Sequence, residues 1–144
     1  MQIALRKPLI VVDGAHNRAS VAAAIRAARE LCPRRRLQVL LATTIGKDAR
    51  GMVAELAANA DEIILTERSK DERALPIADL IEITERLLDE VCSEDAPLRR
   101  KFRVVPDFRS YLADKIARGD SNDALLALGS FYFAAEVLKE IALR

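Results

Sequence analysis

Histidine occurs once in this chain, at His16, and cysteine twice, at Cys32 and Cys92. With no CxxC pair and the two thiols 60 residues apart, a cysteine and histidine zinc site cannot be assembled. Both cysteines read as buried, reduced thiols of a cytosolic protein. An excess of one charge sign is also missing. Lysine plus arginine number 23 against 22 acids, a net +1, so no general field draws in nucleic acid or an anionic membrane, and any anion site must be local. Apolar runs fall far short of the roughly 18 residues that a membrane span needs. Arg6, Lys7 and Pro8 near the start are not followed by the apolar core and cleavage site of a signal peptide. The sequence holds no GxxxxGKS or GxxxxGKT, no GxGxxG, no GxSxG and no HExxH, which excludes nucleotide hydrolysis by a self-contained phosphate loop.

What is present is globular: 51% of residues are apolar and 31% charged, where a disordered chain is poor in apolar residues and carries a large net charge. Residues 8–12, 37–42, 62–66, 102–105 and 124–128 are short apolar runs that read as strands buried on both faces. Helical spacing fills the intervals. It runs through Val21, Ala24, Ile25, Ala28 and Leu31, then Met52, Val53, Leu56 and Ala60, then Ile77, Leu80, Ile81, Leu88 and Val91. Phe108, Tyr111, Leu112 and Ile116 continue it, and Phe131, Ala135, Leu138 and Ala142 close the chain. Five strands alternating with five helices predict one α/β domain over residues 1–144, three layers deep, with a mostly parallel sheet and helices on both faces. Asn17 and Asp107 are suited to cap the first and fourth helices, and Gly119 to end the fourth. Residues 67–76 and 93–101 are polar and interrupted by proline, so they read as exposed connections. Arg34, Arg35 and Arg36 read as a solvated turn.

Three of the five glycines, Gly14, Gly46 and Gly129, follow predicted strands one, two and five. They therefore gather at the carboxyl edge of the sheet, where loops feed helix N-termini that attract anions. The first loop, Asp13-Gly14-Ala15-His16-Asn17, sets the only histidine beside a carboxylate. Such a pair can orient a phosphate, a ribose or a metal-bound water, or it can do no more than cap a turn and bond to backbone. The second loop, Thr43-Thr44-Ile45-Gly46-Lys47-Asp48, offers a cation for a phosphate or carboxylate, with Asp48 as a helix cap in the plainer reading. A phosphoreceiver domain is disfavoured, because the third predicted strand ends at Thr66 where that fold needs an aspartate.

Taken in order, these segments resemble one family. Residues 8–17, PLIVVDGAHN, are similar to the opening of the carboxy-terminal domain of folylpolyglutamate synthases, a branch of the Mur ligase superfamily. TTIGKD at 43–48 resembles that family's second loop, Arg73-Ala74 its Arg-Ala pair, and LALGSFYFAAEVL at 126–138 its closing Gly-Ser and final helix. Arg18 stands where the family commonly has proline, and Ala127-Leu128 where it has Val-Thr or Val-Cys. The resemblance implies a Rossmann-like domain of a cytoplasmic ligase that uses ATP and magnesium to activate a folate carboxylate as an acyl phosphate, which the amine of L-glutamate then attacks. It implies a cleft in which Asp13, Gly14, His16 and Asn17 face the nucleotide, with Lys47, Asp48 and Ser130 along the same cleft. It also implies a partner, the large ATP-binding domain, which would hold most of the ATP and magnesium. Met1-Gln2-Ile3 resembles the residues after a Gly-Arg pair, so the chain is expected to start inside the family pattern and to be inactive in isolation. The alternatives are a stand-alone binding or regulatory module of the same fold, and a Mur-type ligase acting on a peptidoglycan precursor; the DGAHN loop speaks against the latter.

Overall fold

The computed structural model describes residues 1–69 and 71–144; Lys70, in the segment read as an exposed connection, lies outside them. The chain runs β1 (Gln2–Arg6), β2 (Leu9–Val12), α1 (Arg18–Leu31), β3 (Arg36–Leu41), α2 (Ala49–Asn59), β4 (Glu62–Glu67) and α3 (Ile77–Val91). A short 3-10 turn at Pro97–Lys101 leads into β5 (Phe102–Asp107), followed by α4 (Phe108–Arg118), β6 (Asp123–Leu128) and α5 (Phe131–Ala142).

The six strands form one sheet in the order β1-β2-β6-β3-β4-β5. All neighbours from β2 to β5 pair in parallel, and only β1 runs antiparallel, against β2. Parallel strands sandwiched between helices are apolar on both faces, and the alternation along β2, β3, β4 and β6 shows it; β5, expected to be buried on both faces, is instead an edge strand with Arg103, Val104, Pro106 and Asp107 exposed. Val11, Val39, Leu41, Ile63 and Leu126 point to one core, where Val21 and Ile25 of α1, Met52 and Leu56 of α2, and Leu80 and Leu87 of α3 cover them. Ile10, Leu40, Ile64 and Leu125 point the other way, to Phe108 and Leu112 of α4 and Phe133 and Val137 of α5. Phe108 and Phe133 meet edge to face at 5.1 Å between ring centres. Each such fully buried side chain contributes roughly 1.5–3 kcal/mol over leaving it exposed.

The three-layer reading therefore holds, with corrections of detail. A sixth strand, β1, joins the five expected ones at the sheet edge; its Ile3, Ala4 and Leu5 are only half-buried. Residues 67–76 are not simply exposed, since Arg68 and Ala74 are buried. Cys32 is buried, whereas Cys92 is only half-buried. The Arg34–Arg36 run is more than a solvated turn: Arg35 Nη1 donates to Asp120 Oδ1 at 2.9 Å and to the Ser121 carbonyl at 2.8 Å. Asn17 and Asp107 cap their helices as expected, and Gly119 ends α4 at φ 78.

Burial of Tyr111 on α4 pushes its hydroxyl up to about 12 from 10.0, with the nearby Glu62 charge adding to the rise. The folded chain then keeps a proton that the unfolded chain loses above pH 10. This contribution to stability is complete below 10 and falls by up to about 1.4 kcal/mol per pH unit until the folded hydroxyl ionises as well. Denaturation midpoints measured from pH 9 to 11 should fall less steeply for Tyr111→Phe than for the unmodified chain. Parallel curves would show that the buried hydroxyl does not govern the alkaline limb.

Candidate functional site

Strand order fixes where a ligand cleft can form. From β2 the chain leaves to α1 on one face of the sheet, and from the adjacent β6 it leaves to α5 on the other. Loops that part in this way open a crevice at the carboxyl ends of the strands, the usual ligand position in open α/β sheets. Here the loops at that edge are residues 13–17, 42–48, 68–69, 71–76 and 129–130.

Backbone bonds stitch these loops into one rim. Asp13 N donates to Ala127 O at 3.0 Å, Gly129 N to Ala15 O at 2.8 Å, and Ala42 N to Leu128 O at 3.3 Å. Ile45 N then donates to Arg73 O at 2.7 Å, and Leu75 N to Thr43 O at 3.0 Å. Thr43, fully buried, adds its hydroxyl to Gly129 O at 2.7 Å. Gly129 has φ 127, a conformation that L side chains avoid.

Within this rim the expected site residues divide by what already engages them. Asp13 Oδ1 accepts the N–H of Ala15 at 2.8 Å, closing the loop as an Asx turn. Asn17 accepts from Ser20 N at 2.8 Å, and the Ser20 hydroxyl accepts from Asn17 N at 3.1 Å, which is a reciprocal cap on α1. Asp48 caps α2 through Gly51 N at 2.9 Å, and Ser130 caps α5 through Phe133 N at 3.0 Å. These four side chains hold the loops in shape. Gly14 sits beneath the ring of Phe131, which a Cβ at that position would strike.

Two side chains remain available. His16 Nδ1 lies 3.0 Å from Gly14 O. A carbonyl only accepts, so Nδ1–H donates in this contact, and Nε2 has no hydrogen-bond partner among the described residues. The ring is half-buried, which holds its orientation. Lys47 is exposed and has no ion pair or hydrogen bond through its ammonium among the described residues, so it is free to meet a phosphate or carboxylate.

The structure adds Arg68 and Tyr132, which local sequence patterns did not single out, and sets Arg73 beside them. Arg68, 3% exposed, donates from both terminal nitrogens to Asp71 Oδ2, at 2.7 and 2.8 Å. It also packs 5.1 Å from the ring centre of Tyr132. Arg73 approaches the same ring at 5.6 Å and donates to its hydroxyl at 2.9 Å. The other oxygen of Asp71 accepts from Arg73 N at 2.7 Å and Ala74 N at 3.0 Å. These backbone bonds, that of Arg73 foremost, with the Arg68 charge hold the Asp71 carboxyl below its ordinary range, so the brace around Arg73 is complete at neutral pH and weakens only in acid. Beyond the Arg73-Ala74 pair, the one signal in the sequence was Phe131-Tyr132 directly after Gly-Ser.

A second concavity, of about 240 Å³, lies at the opposite edge beneath α4. Its Lys115 is engaged by Gln38 at 2.7 Å, and Arg103, Lys115 and Arg118 are balanced by Asp114, Asp120 and Asp123. Its one glycine, Gly119, ends α4 and leads into no helix N-terminus there, and we place the candidate site at the carboxyl edge. Among the described residues no group of three histidine, cysteine or acidic side chains could hold a metal ion, and no helix is long and apolar enough to cross a membrane.

Comparison with known proteins agrees with this architecture. Residues 1–131 match the family model described as Mur ligase, glutamate ligase domain. No curated protein matches the sequence. Among solved structures, Escherichia coli FolC in complex with ADP, without folate substrate, superposes with a TM-score of 0.75 at 20% identity, over 99% of this chain and 31% of that one. Mycobacterium tuberculosis folylpolyglutamate synthase complexed with ADP and AMPPCP gives 0.74 at 20% identity, over 97% and 31%. A bifunctional folylpolyglutamate synthase/dihydrofolate synthase with Mn, AMPPNP and L-glutamate bound gives 0.69 at 18%, over 99% and 30%. The chain thus spans about a third of the length of these structures, and at such identities the likeness is one of fold.

Proposed function

The chain belongs to the family of Mur ligase glutamate ligase domains, and from that premise we propose that it forms one wall of the cleft of an ATP-dependent ligase adding L-glutamate to a folate. The observation that carries this reading is the stitched rim with His16 Nε2 and Lys47 free above it. Ligands named in the similar structures, ADP and AMPPCP in one and L-glutamate with AMPPNP in another, have the anionic groups that such a rim suits.

The residues fit one side of a nucleotide or an acidic substrate and do not fit magnesium, so the ion belongs with an ATP-binding domain. ATP supplies the phosphoryl group that activates a carboxylate. In this reading His16 Nε2 receives a proton or a hydrogen bond from a group in the cleft, while its Nδ1–H, held by Gly14 O, keeps the ring aimed. Lys47 offsets negative charge at the mouth of α2. Asp13, Asn17, Asp48 and Ser130 preserve the spacing of the loops, on which positioning in the closed cleft depends.

Residues 1–144 contain no phosphate loop, so the purified chain should fold and yet show no ATP-dependent ligation of glutamate to folate. Its affinity for ATP should be weak, on the order of millimolar, since only one wall of the cleft is present. Turnover above background would overturn the division of labour. A micromolar dissociation constant by calorimetry would favour the stand-alone binding module.

A further inference from the structure

Of the six phenylalanines and tyrosines, only Phe131 and Tyr132 are exposed among the described residues, at 70% and 52%, and both stand at the carboxyl edge. They are placed differently. Tyr132 has Arg68 and Arg73 against its ring and Arg73 on its hydroxyl. Phe131 packs its ring against Gly14, with the His16 ring 5.5 Å away at 45°, and otherwise stands exposed.

We propose that Phe131 is a stacking platform for a planar, fused nitrogen heterocycle carried by an anionic ligand, the purine of a nucleotide or the pteridine of a folate. This rests on the ligase reading, and three observations support it. The ring is seated on rigid parts, because Gly129 N is bonded to Ala15 O and the Ser130 hydroxyl caps the helix that Phe131 begins. Its seat is matched to it, since any side chain at Gly14 would displace the ring. The groups around it are polar and cationic, with His16, Arg73 and Lys47 on the same rim, which suits a flat π-face joined to negative charge better than an apolar protein surface. An aromatic face fixed in this way stacks on a heterocycle at little ordering cost.

The test uses the full chain, labelled with nitrogen-15 and titrated in turn with ATP and with folic acid. The expected result is movement of the Ala15, Gly129 and Phe131 amides, with ring-current shifts of the ligand protons that stack. Shifted adenine protons identify the purine as the occupant, and shifted pteridine protons the folate. Phe131→Ala should weaken that ligand on the order of tenfold without moving the thermal midpoint, and Phe131→Trp should restore it. If rim amides move with the same affinity in Phe131→Ala, the platform is wrong and the cleft stands. If neither ligand moves any rim amide even at tens of millimolar, well above the expected dissociation constant of about a millimolar, the platform is overturned, while the ligase reading is decided separately by turnover of a complete enzyme carrying His16→Ala. If the ring instead responds to an added ATP-binding domain with no ligand present, Phe131 is a docking contact and the platform is overturned.

Discussion

Replacing Gly129 with alanine should cost the domain roughly 3–5 kcal/mol of unfolding free energy, the sum of holding a side chain at unfavourable φ and forcing it into a filled space. The φ of 127 at this residue is the first part. The second is that a Cβ would meet the carbonyl oxygen of Ala42 and lie 3.0 Å from Leu41 Cδ1. Escape by a backbone shift is blocked, because the N–H of Gly129 is bonded to Ala15 and its carbonyl to the buried Thr43 hydroxyl. Gly46 provides the control. It also has positive φ, at 88, but nothing lies within 4 Å of its Cβ position, so its alanine variant should lose only about 1–2 kcal/mol. Urea denaturation of both variants checks the difference. A loss below about 1 kcal/mol at Gly129 would mean that the three loops are not locked together. Against the roughly 5–15 kcal/mol that holds a typical domain, the expected loss is a large share of the total.

What the sequence revealed and what it hid have physical causes. Strands β2 to β4 and β6 were legible because burial on both faces makes the run continuously apolar, as in Leu37 to Leu41 around a single Gln38. Strand β1 gave no such run. It is an edge strand, bonded on one side only, and Ile3 to Leu5 between Gln2 and Arg6 are half-buried. The rim residues were legible as a loop cluster because glycines and caps are local signals. Their division into structural and available groups was not, since it depends on which backbone N–H each oxygen meets. Arg68 was hidden for the opposite reason. In ERSKDERALP it looks like one solvated charge among several, and only the approach of Tyr132 and Glu136 from the far end of the chain encloses it.

In a complete ligase built on this domain, His16→Ala should lower kcat by about one to two decades while leaving the unfolding midpoint nearly unchanged. The loop keeps its shape without the imidazole, because the turn is closed by Asp13 on Ala15 N and the helix by Asn17 and Ser20. What is lost is a positioned Nε2, and one hydrogen bond to a charged group is worth roughly 1.5–3 kcal/mol, or about one to two factors of ten in rate. Asp13 should behave differently. Asp13→Ala removes the turn bond as well, so both kcat and midpoint should fall, whereas Asp13→Asn keeps the acceptor oxygen and isolates the charge. A near-normal midpoint with reduced kcat in Asp13→Asn would mean that the carboxylate acts on the ligand. Recovery of both would confine it to the turn. Near-normal turnover in His16→Ala with a large fall in midpoint would mean that the histidine only braces the loop, and the assignment of Nε2 to the reacting groups would be wrong.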